Sequence, residues 1–346
     1  MTADFIAPVI AWFRKNRRAL PFRENRDPYR IWVSEVMLQQ TRIEAAIPYF
    51  LHFMEENPDL ASLAACPDEK LYKLWEGLGY YSRVRNLKRA AVQLMTSYGG
   101  TFPRTAKELE KLPGIGSYTA GAIASIAFGE PAPAVDGNVL RVMTRLFADP
   151  ADISLPATRK RIEEELRAIY PTGDDAGDLT QGIMEIGERI CLPNTVPLCD
   201  ECPLAGLCLA KRVDKCLSFP KKSPKKERKI LDKTLFLFSV GEEFALEKRP
   251  PEGLLASLWG FPMADGALKK EEVIPFLKNE GLSPLSVKSA GRAKHVFTHL
   301  EWHITGYFVE LPAKNEKWVW ETPEKILAVY SIPSAFRAFR KKLLTV

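Results

Sequence analysis

Four cysteines packed between residues 191 and 208 constrain this chain more than any other feature: Cys191, Cys199, Cys202 and Cys208, spaced Cys-x7-Cys-x2-Cys-x5-Cys. The N-terminus, MTADFIAPVIAWFRKNRR, sets its charges after its apolar part, the reverse of a secretion signal, so a cytoplasmic protein is expected. In that setting a tight group of thiols points to metal ligation before disulfides. Zinc sites usually draw on two close Cys pairs, and only one Cys-x-x-Cys occurs here. One pair with two outlying thiolates suits a four-iron four-sulfur (4Fe–4S) cluster better, with zinc as the alternative. Of the other two cysteines, Cys66 reads as structural and Cys216 as a free thiol or stray ligand.

A chain of 346 residues is long enough for two full cores. No apolar run approaches membrane-spanning length. The most apolar stretch, 119–128, is short and interrupted by Gly121, as a buried helix would be. A net charge of +6 is compatible with a polyanionic partner but decides nothing alone. Residues 1–213 have helical texture, with Asp27-Pro28 as a helix start and Thr105 with Glu108 as a capping box. Residues 214–231 form a linker whose centre, 221–229, lacks apolar residues and carries six basic ones. Residues 232–346 change character. Strand-rich composition at 234–240 and 295–311 is combined with helical spacing at 271–280, 322–330 and 333–344, which predicts an α+β domain. The linker is expected to separate independent cores, so that a chain lacking residues 230–346 stays folded.

Three stretches of the first domain carry chemistry. In Leu112-Pro113-Gly114-Ile115-Gly116-Ser117-Tyr118-Thr119-Ala120-Gly121, a Gly-x-Gly turn joins two helices. Gly114 and Gly116 let backbone come close to a ligand, and free amides at the next helix start suit a phosphate oxygen. A plain tight turn is the bland reading; the flanking Leu-Pro and Thr-Ala favour a helix–hairpin–helix grip on a DNA backbone. Next comes Val135-Asp136-Gly137-Asn138-Val139, where Asp136 is a helix cap on the bland reading. The third is 27–42, in which Ile31, Glu35 and Leu38 share one helix face. A carboxyl among apolar neighbours has a raised pKa and can act as a general acid.

These blocks, with Gly77-Leu78-Gly79-Tyr80-Tyr81-Ser82-Arg83 and the four cysteines, resemble the adenine DNA glycosylases of the MutY family over nearly the whole chain. The resemblance implies a mainly α, two-lobed helix–hairpin–helix glycosylase domain with a 4Fe–4S cluster, then an α+β Nudix-like C-terminal domain. It also implies double-stranded DNA containing an adenine:8-oxoguanine or adenine:guanine mismatch as substrate, no membrane partner, a monomer, and nucleoid association if the source is bacterial. By resemblance Glu35 protonates adenine and later activates water, Asp136 balances the positive sugar, and Tyr118 and Asn138 assist. Bifunctional relatives carry a catalytic lysine where Tyr118 stands and a histidine where Asn138 stands, so the chain is expected to be monofunctional. Leu20, Phe22, Arg23, Gln40 and Gln181 match the adenine pocket, and Gln39 and Tyr80 match residues wedged beside the lesion. Phe22 replaces the family's usual tryptophan, and the seven-residue first cysteine gap exceeds the commoner six. An endonuclease III-like glycosylase/lyase and an inactive mismatch-binding protein are the alternatives.

In the second domain the Nudix catalytic acids are missing from 254–282, which implies a binding module. The family's Phe-Ser-His contact to oxidised guanine is Phe297-Thr298-His299 here, hydroxyl retained. His295, His299 and His303 would mark a metal site on a helix, but their β-branched and aromatic neighbours argue for strand and loop.

Overall fold

The computed structural model describes residues 1–224 and 227–345; Lys225 and Lys226 of the expected linker and the final Val346 lie outside the described residues. The chain packs into two compact units, one formed by residues 1–66 and 85–224, the other by 67–84 with the chain after 224.

The first unit is helical. Asp27 accepts a hydrogen bond from the Tyr29 amide and starts the helix Pro28–Leu38, with proline at the first turn where no amide partner is needed. Thr105 caps the short helix Ala106–Leu109 by accepting from the Glu108 amide at 3.4 Å, while the Glu108 carboxylate pairs with Lys111. Gly114 turns the chain with φ +75°, and any side chain there would also meet Asn86. Gly116 then heads the helix Ser117–Phe128, whose small and apolar residues are buried almost all round, as the apolar run predicts. The helix Asp174–Arg189 divides its labour by spacing. Ala176, Leu179, Ile183 and Ile186 join the core formed with Val9, Val139 and Met143. Gln181, Met184, Glu185 and Glu188 lie on another face, which belongs to the site described below. Gly187 is required by close approach, since a Cβ there would stand 2.6 Å from that of Asn138.

The second unit is built, among the described residues, on a seven-stranded sheet: β1 (Lys229–Val240), β2 (Glu243–Lys248), β3 (Trp259–Gly260), β4 (Met263–Asp265), β5 (Ser286–Val296), β6 (Leu300–Glu310) and β7 (Val319–Glu321). Strand order is β3-β2-β1-β6-β5, with β4 on β1 and β7 on β2; β1 and β6 run parallel and β5 and β6 antiparallel. Alternation along β1 sends Leu235 and Leu237 to one face, against Phe336 and Phe339, and Phe236 and Phe238 to the other, with Val273 and Leu277. Both faces are thus covered, which explains a continuous apolar run where a one-sided sheet would alternate. The stretch 295–311 is the end of β5, a turn and then β6, and the expected helix at 333–344 is broken into short 3-10 and α segments.

Two boundaries differ from the expectation. The linker is tied where its lysine-rich centre begins, the Ile153 amide donating to the Lys221 carbonyl and the Ser223 hydroxyl meeting Asp152, and its last residues already belong to β1. More consequentially, residues 67–84 pack within the second unit. Lys73 Nζ donates to the Leu327 carbonyl at 2.6 Å and Trp259 Nε1 to Glu69 at 3.0 Å. The Ser331 hydroxyl donates to the Tyr72 carbonyl at 3.1 Å, which leaves its oxygen to accept from the Tyr81 hydroxyl at 3.0 Å. A cut at the lysine-rich segment therefore takes Trp259, Leu327 and Ser331 away from 67–84. In a chain ending at residue 229, hydrogen exchange by mass spectrometry should show amides of 67–84 opening toward solvent rates while those of 117–128 keep their protection; unchanged protection of 67–84 would contradict this assignment.

Candidate active site

One cavity of the first unit, about 360 Å³ and within the range of small-molecule pockets, gathers side chains from widely separated stretches of the sequence. Its wall includes Phe22, Arg23, Glu35, Gln40, Tyr118, Asp136, Asn138 and Gln181, eight of the residues singled out from sequence. Ile31 and Leu38 flank Glu35 along the same helix face, as their spacing requires. Leu20 is buried and starts the turn Pro21–Arg23, where its carbonyl accepts from the Arg23 amide, but it does not line the cavity. Gln39 also stays off the wall and reaches the Thr119 hydroxyl at 3.5 Å. Its neighbour Gln40, on the wall, is held at φ 61°, a left-handed conformation uncommon for a residue with a Cβ.

Glu35 is 9% exposed. Burial raises its pKa to about 7; the Tyr118 hydrogen bond opposes the shift, the charge of Asp136 adds to it, and Arg23 opposes it. Tyr118 donates its hydroxyl to Glu35 Oε2 at 2.5 Å, and burial holds that phenol well above its usual pKa. Asp136 is both things the sequence allowed, a helix cap and a pocket acid. Its Oδ1 accepts from the Val139 amide at 2.7 Å and its Oδ2 from Asn138 Nδ2 at 2.9 Å. Burial raises the Asp136 pKa, and these hydrogen bonds with the Arg141 charge work against the rise. The Asn138 amide has its orientation set by Arg141, which can only donate. Arg141 Nη2 meets Asn138 Oδ1 at 2.7 Å, so the amide nitrogen must face Asp136. Arg141 also donates to the Gly187 and Cys191 carbonyls, both at 2.7 Å.

Several site residues are not apparent from the sequence motifs. Glu185, with a fully buried side chain, accepts from Arg18 Nε at 2.6 Å and from Arg23 Nη1 at 2.7 Å. Burial pushes its carboxyl up, and the two guanidiniums more than offset that, leaving it below the ordinary value. The i, i+4, i+7 spacing of Gln181, Glu185 and Glu188 is a usable signal, since one pocket residue on a helix nominates its neighbours a turn away.

A second, small cavity is lined by Cys191, Cys199, Cys202, Cys208 and Cys216, with Arg145 and Lys211. Among the described residues no three His, Cys, Asp or Glu converge closely enough to hold a single metal ion. The donor set nevertheless fits a thiolate-bound group. As thiols, Cys202 is pushed up to about 11 and Cys208 is raised as well, chiefly by burial, so ionised sulfurs here need a positive partner. Arg145, buried, donates Nη1 to Cys191 Sγ at 3.2 Å, a hydrogen bond suited to a ligated thiolate.

In the second unit, Arg83 Nη2 donates to the Leu78 and Gly79 carbonyls and shapes the loop that holds Tyr80 at φ 48°. The exposed Tyr80 hydroxyl lies 3.2 Å from that of Thr298. Phe297 anchors the β5–β6 turn between His295 and Trp302, and Thr298 and His299 are exposed on it. The fold thus brings together residues more than two hundred positions apart.

Fold and cavity define a class, the DNA glycosylases of base excision repair. Residues 33–171 match the HhH-GPD superfamily of base excision DNA repair proteins and residues 234–342 match the NUDIX domain. The adenine DNA glycosylase of Homo sapiens is 33% identical over 90% of this chain and 68% of its own, and that of Buchnera aphidicola (Acyrthosiphon pisum) is 31% identical over 97% of both. This chain belongs to the adenine DNA glycosylase family. Among solved structures, a thermostable thymine-DNA glycosylase is similar with TM-score 0.54 at 29% identity, covering 60% of this chain and 95% of its own. A non-covalent endonuclease III–DNA complex is similar with TM-score 0.51 at 26% identity, covering 62% and 98%.

The raised pKa of Glu35 has a consequence for stability. Its folded value near 7 lies above the ordinary 4.5, so its contribution to stability is complete below about pH 4.5 and is lost as pH rises through about 7. Glu35→Gln, which cannot ionise, should gain on the wild type across that window, by up to roughly 3 kcal/mol at pH 8 and little at pH 4.5. Denaturant melts of both proteins at the two pH values check this, and a difference that does not change with pH would overturn it.

Proposed function

We propose that this chain is a monofunctional, monomeric glycosylase that hydrolyses the N-glycosidic bond of adenine mispaired with 8-oxoguanine or guanine in double-stranded DNA. The observation that carries the reading is Glu35, poised by burial near neutral pH and hydrogen-bonded to Tyr118, on one cavity wall with Asp136. Adenine flipped from the duplex enters this cavity, with Phe22, Arg23, Gln40 and Gln181 around it. Glu35, protonated in a fraction of the population at pH 7, delivers its proton to N7 of the base and makes it a better leaving group. As a carboxylate it then takes a proton from attacking water. Asp136, supported as an anion by the Val139 amide, Asn138 and Arg141, balances the oxocarbenium-like sugar. Two carboxyls with separate roles serve glycoside hydrolysis in the same manner. Tyr118 offers no amine for a Schiff base, so the sugar–phosphate backbone stays intact.

Backbone amides around Gly114 and Gly116 receive a DNA phosphate. Cys191, Cys199, Cys202 and Cys208 hold a 4Fe–4S cluster, which supplies a rigid anchor for the loop it closes. Arg145 hydrogen-bonds the first of these sulfurs, and Arg141 holds the carbonyl of the same residue together with Asn138. Gln39 in the first unit and Tyr80 in the second are each read as wedges beside the lesion; Tyr80 lies beside Thr298, Thr298 and His299 read the oxidised guanine, and Phe297 fixes their turn.

On defined adenine:8-oxoguanine duplexes, product strands should break only after hot alkali, and Glu35→Gln should lower single-turnover excision by on the order of a hundredfold or more while mismatch binding persists. Strand breakage without alkali, or near wild-type excision by the variant, would sink the proposal. Thr298→Ala and His299→Ala should narrow the preference for adenine:8-oxoguanine over adenine:guanine more than they slow either reaction. One hydrogen bond at that base edge is worth roughly 1–3 kcal/mol, on the order of a five- to hundredfold change in the ratio of the two rates. Equal losses on both duplexes would assign this turn to general affinity instead.

A further inference from the structure

The fifth cysteine of the sulfur-lined cavity is not absorbed by the four-cysteine motif. Cys216 lies at the start of the short 3-10 turn Cys216–Ser218, and its Sγ is 3.8 Å from that of Cys199. Both line the same cavity as Cys191, Cys202 and Cys208. Its backbone is built into the site as well. Arg145, whose Nη1 reaches Cys191 Sγ, uses Nε to bind the Cys216 carbonyl at 2.9 Å and the Phe219 carbonyl at 3.1 Å. The Lys215 amide, just before it, is tied to the Ala210 carbonyl at 2.8 Å. Cys216 is therefore held at the cavity, not carried past it on a loose tail.

Spacing between the sulfurs gives this arrangement its meaning. The four thiolates of a cuboidal cluster bind four different irons and point to separate corners, well apart from one another. Two sulfurs only 3.8 Å apart are too close together to serve two such corners and so address the same one. We propose that Cys199 and Cys216 are interchangeable ligands of one iron, with Cys216 a reserve thiolate that takes the corner when Cys199 is lost or chemically blocked. The exchange would need no oxidant: the Cys199–iron bond breaks with its electron pair on the departing sulfur, the proton of the Cys216 thiol passes through solvent to that sulfur, and the Cys216 thiolate forms the new bond. Cys199 lies on its own 3-10 turn, Cys199–Glu201, after the seven-residue gap, so the two turns can compete without displacing the Asp174–Arg189 helix.

The inference rests on the cluster reading above, and one set of measurements separates the two. Purified full-length protein is assayed for iron, zinc and acid-labile sulfide and for visible absorbance, with activity left aside. About one zinc and no sulfide in the wild type would defeat the cluster and the reserve ligand together. With a loaded wild type, Cys199→Ala should retain most of its iron and sulfide, whereas Cys202→Ala and Cys199→Ala/Cys216→Ala should lose most of theirs. Loss in Cys199→Ala as severe as in Cys202→Ala would overturn the reserve role while leaving the cluster intact as a reading. Should Cys199→Ala fail to accumulate, Cys216→Ala decides. It should load as fully as the wild type, then lose its visible absorbance severalfold faster under dilute hydrogen peroxide, and an equal rate would overturn the proposal.

Discussion

A buried guanidinium organises the helical unit around its chemistry. Arg141, 8% exposed, can only donate, and it directs its donors to the Gly187 carbonyl, the Cys191 carbonyl and the Asn138 side chain. A buried charge so satisfied fixes its own helix, Gly137–Leu146, against the stretch 187–191, because any shift leaves a charge or a carbonyl unpaired at a cost of a few kcal/mol. That stretch enters the cysteine loop, and the helix is capped by Asp136. The orientation of Asn138 is thus inherited from a residue that does not line the cavity.

The same logic governs the pair across the cavity. Tyr118 would be an ordinary helix residue but for its position in the first turn after Gly116, where the backbone can come close and still leave the hydroxyl aimed at Glu35. Burial does two opposite things there. It lifts Glu35 into the range where a proton can be both held and given, and it keeps Tyr118 neutral, so that its hydroxyl retains a proton to donate to the carboxylate.

Much of this is legible in the sequence, and the reasons are local. The helix from Pro28 announces itself by its Asp-Pro start, and the position of Glu35 on an apolar face follows from helical spacing alone. The turn at Gly114 and the cap at Asp136 are short-range features too. What escapes depends on distance along the chain. The Arg18–Glu185 and Arg23–Glu185 pairs join residues more than 160 positions apart, with ordinary surface-type residues on both sides. The family resemblance matches Leu20 to the adenine pocket and Gln39 to the lesion; in the structure Leu20 is buried off the cavity wall and Gln39 meets Thr119. Cys216 falls outside the motif spacing and is returned to the cavity by the turns that follow Cys208.

Membership of residues 67–84 in the second unit bears on how the chain is made. Their hydrogen-bond partners Leu327 and Ser331 are translated nearly 260 residues later at most, and β1 cannot complete its parallel pairing until β6 has been synthesised. At about 5–20 residues per second, an emerging chain carries this segment unpartnered for on the order of tens of seconds. The ribosome therefore releases a helical unit interrupted by a strip waiting for the end of the message. Such a nascent chain is a natural client for chaperones, and synthesis that stalls before β6 leaves a product with both this segment and β1 lacking their partners.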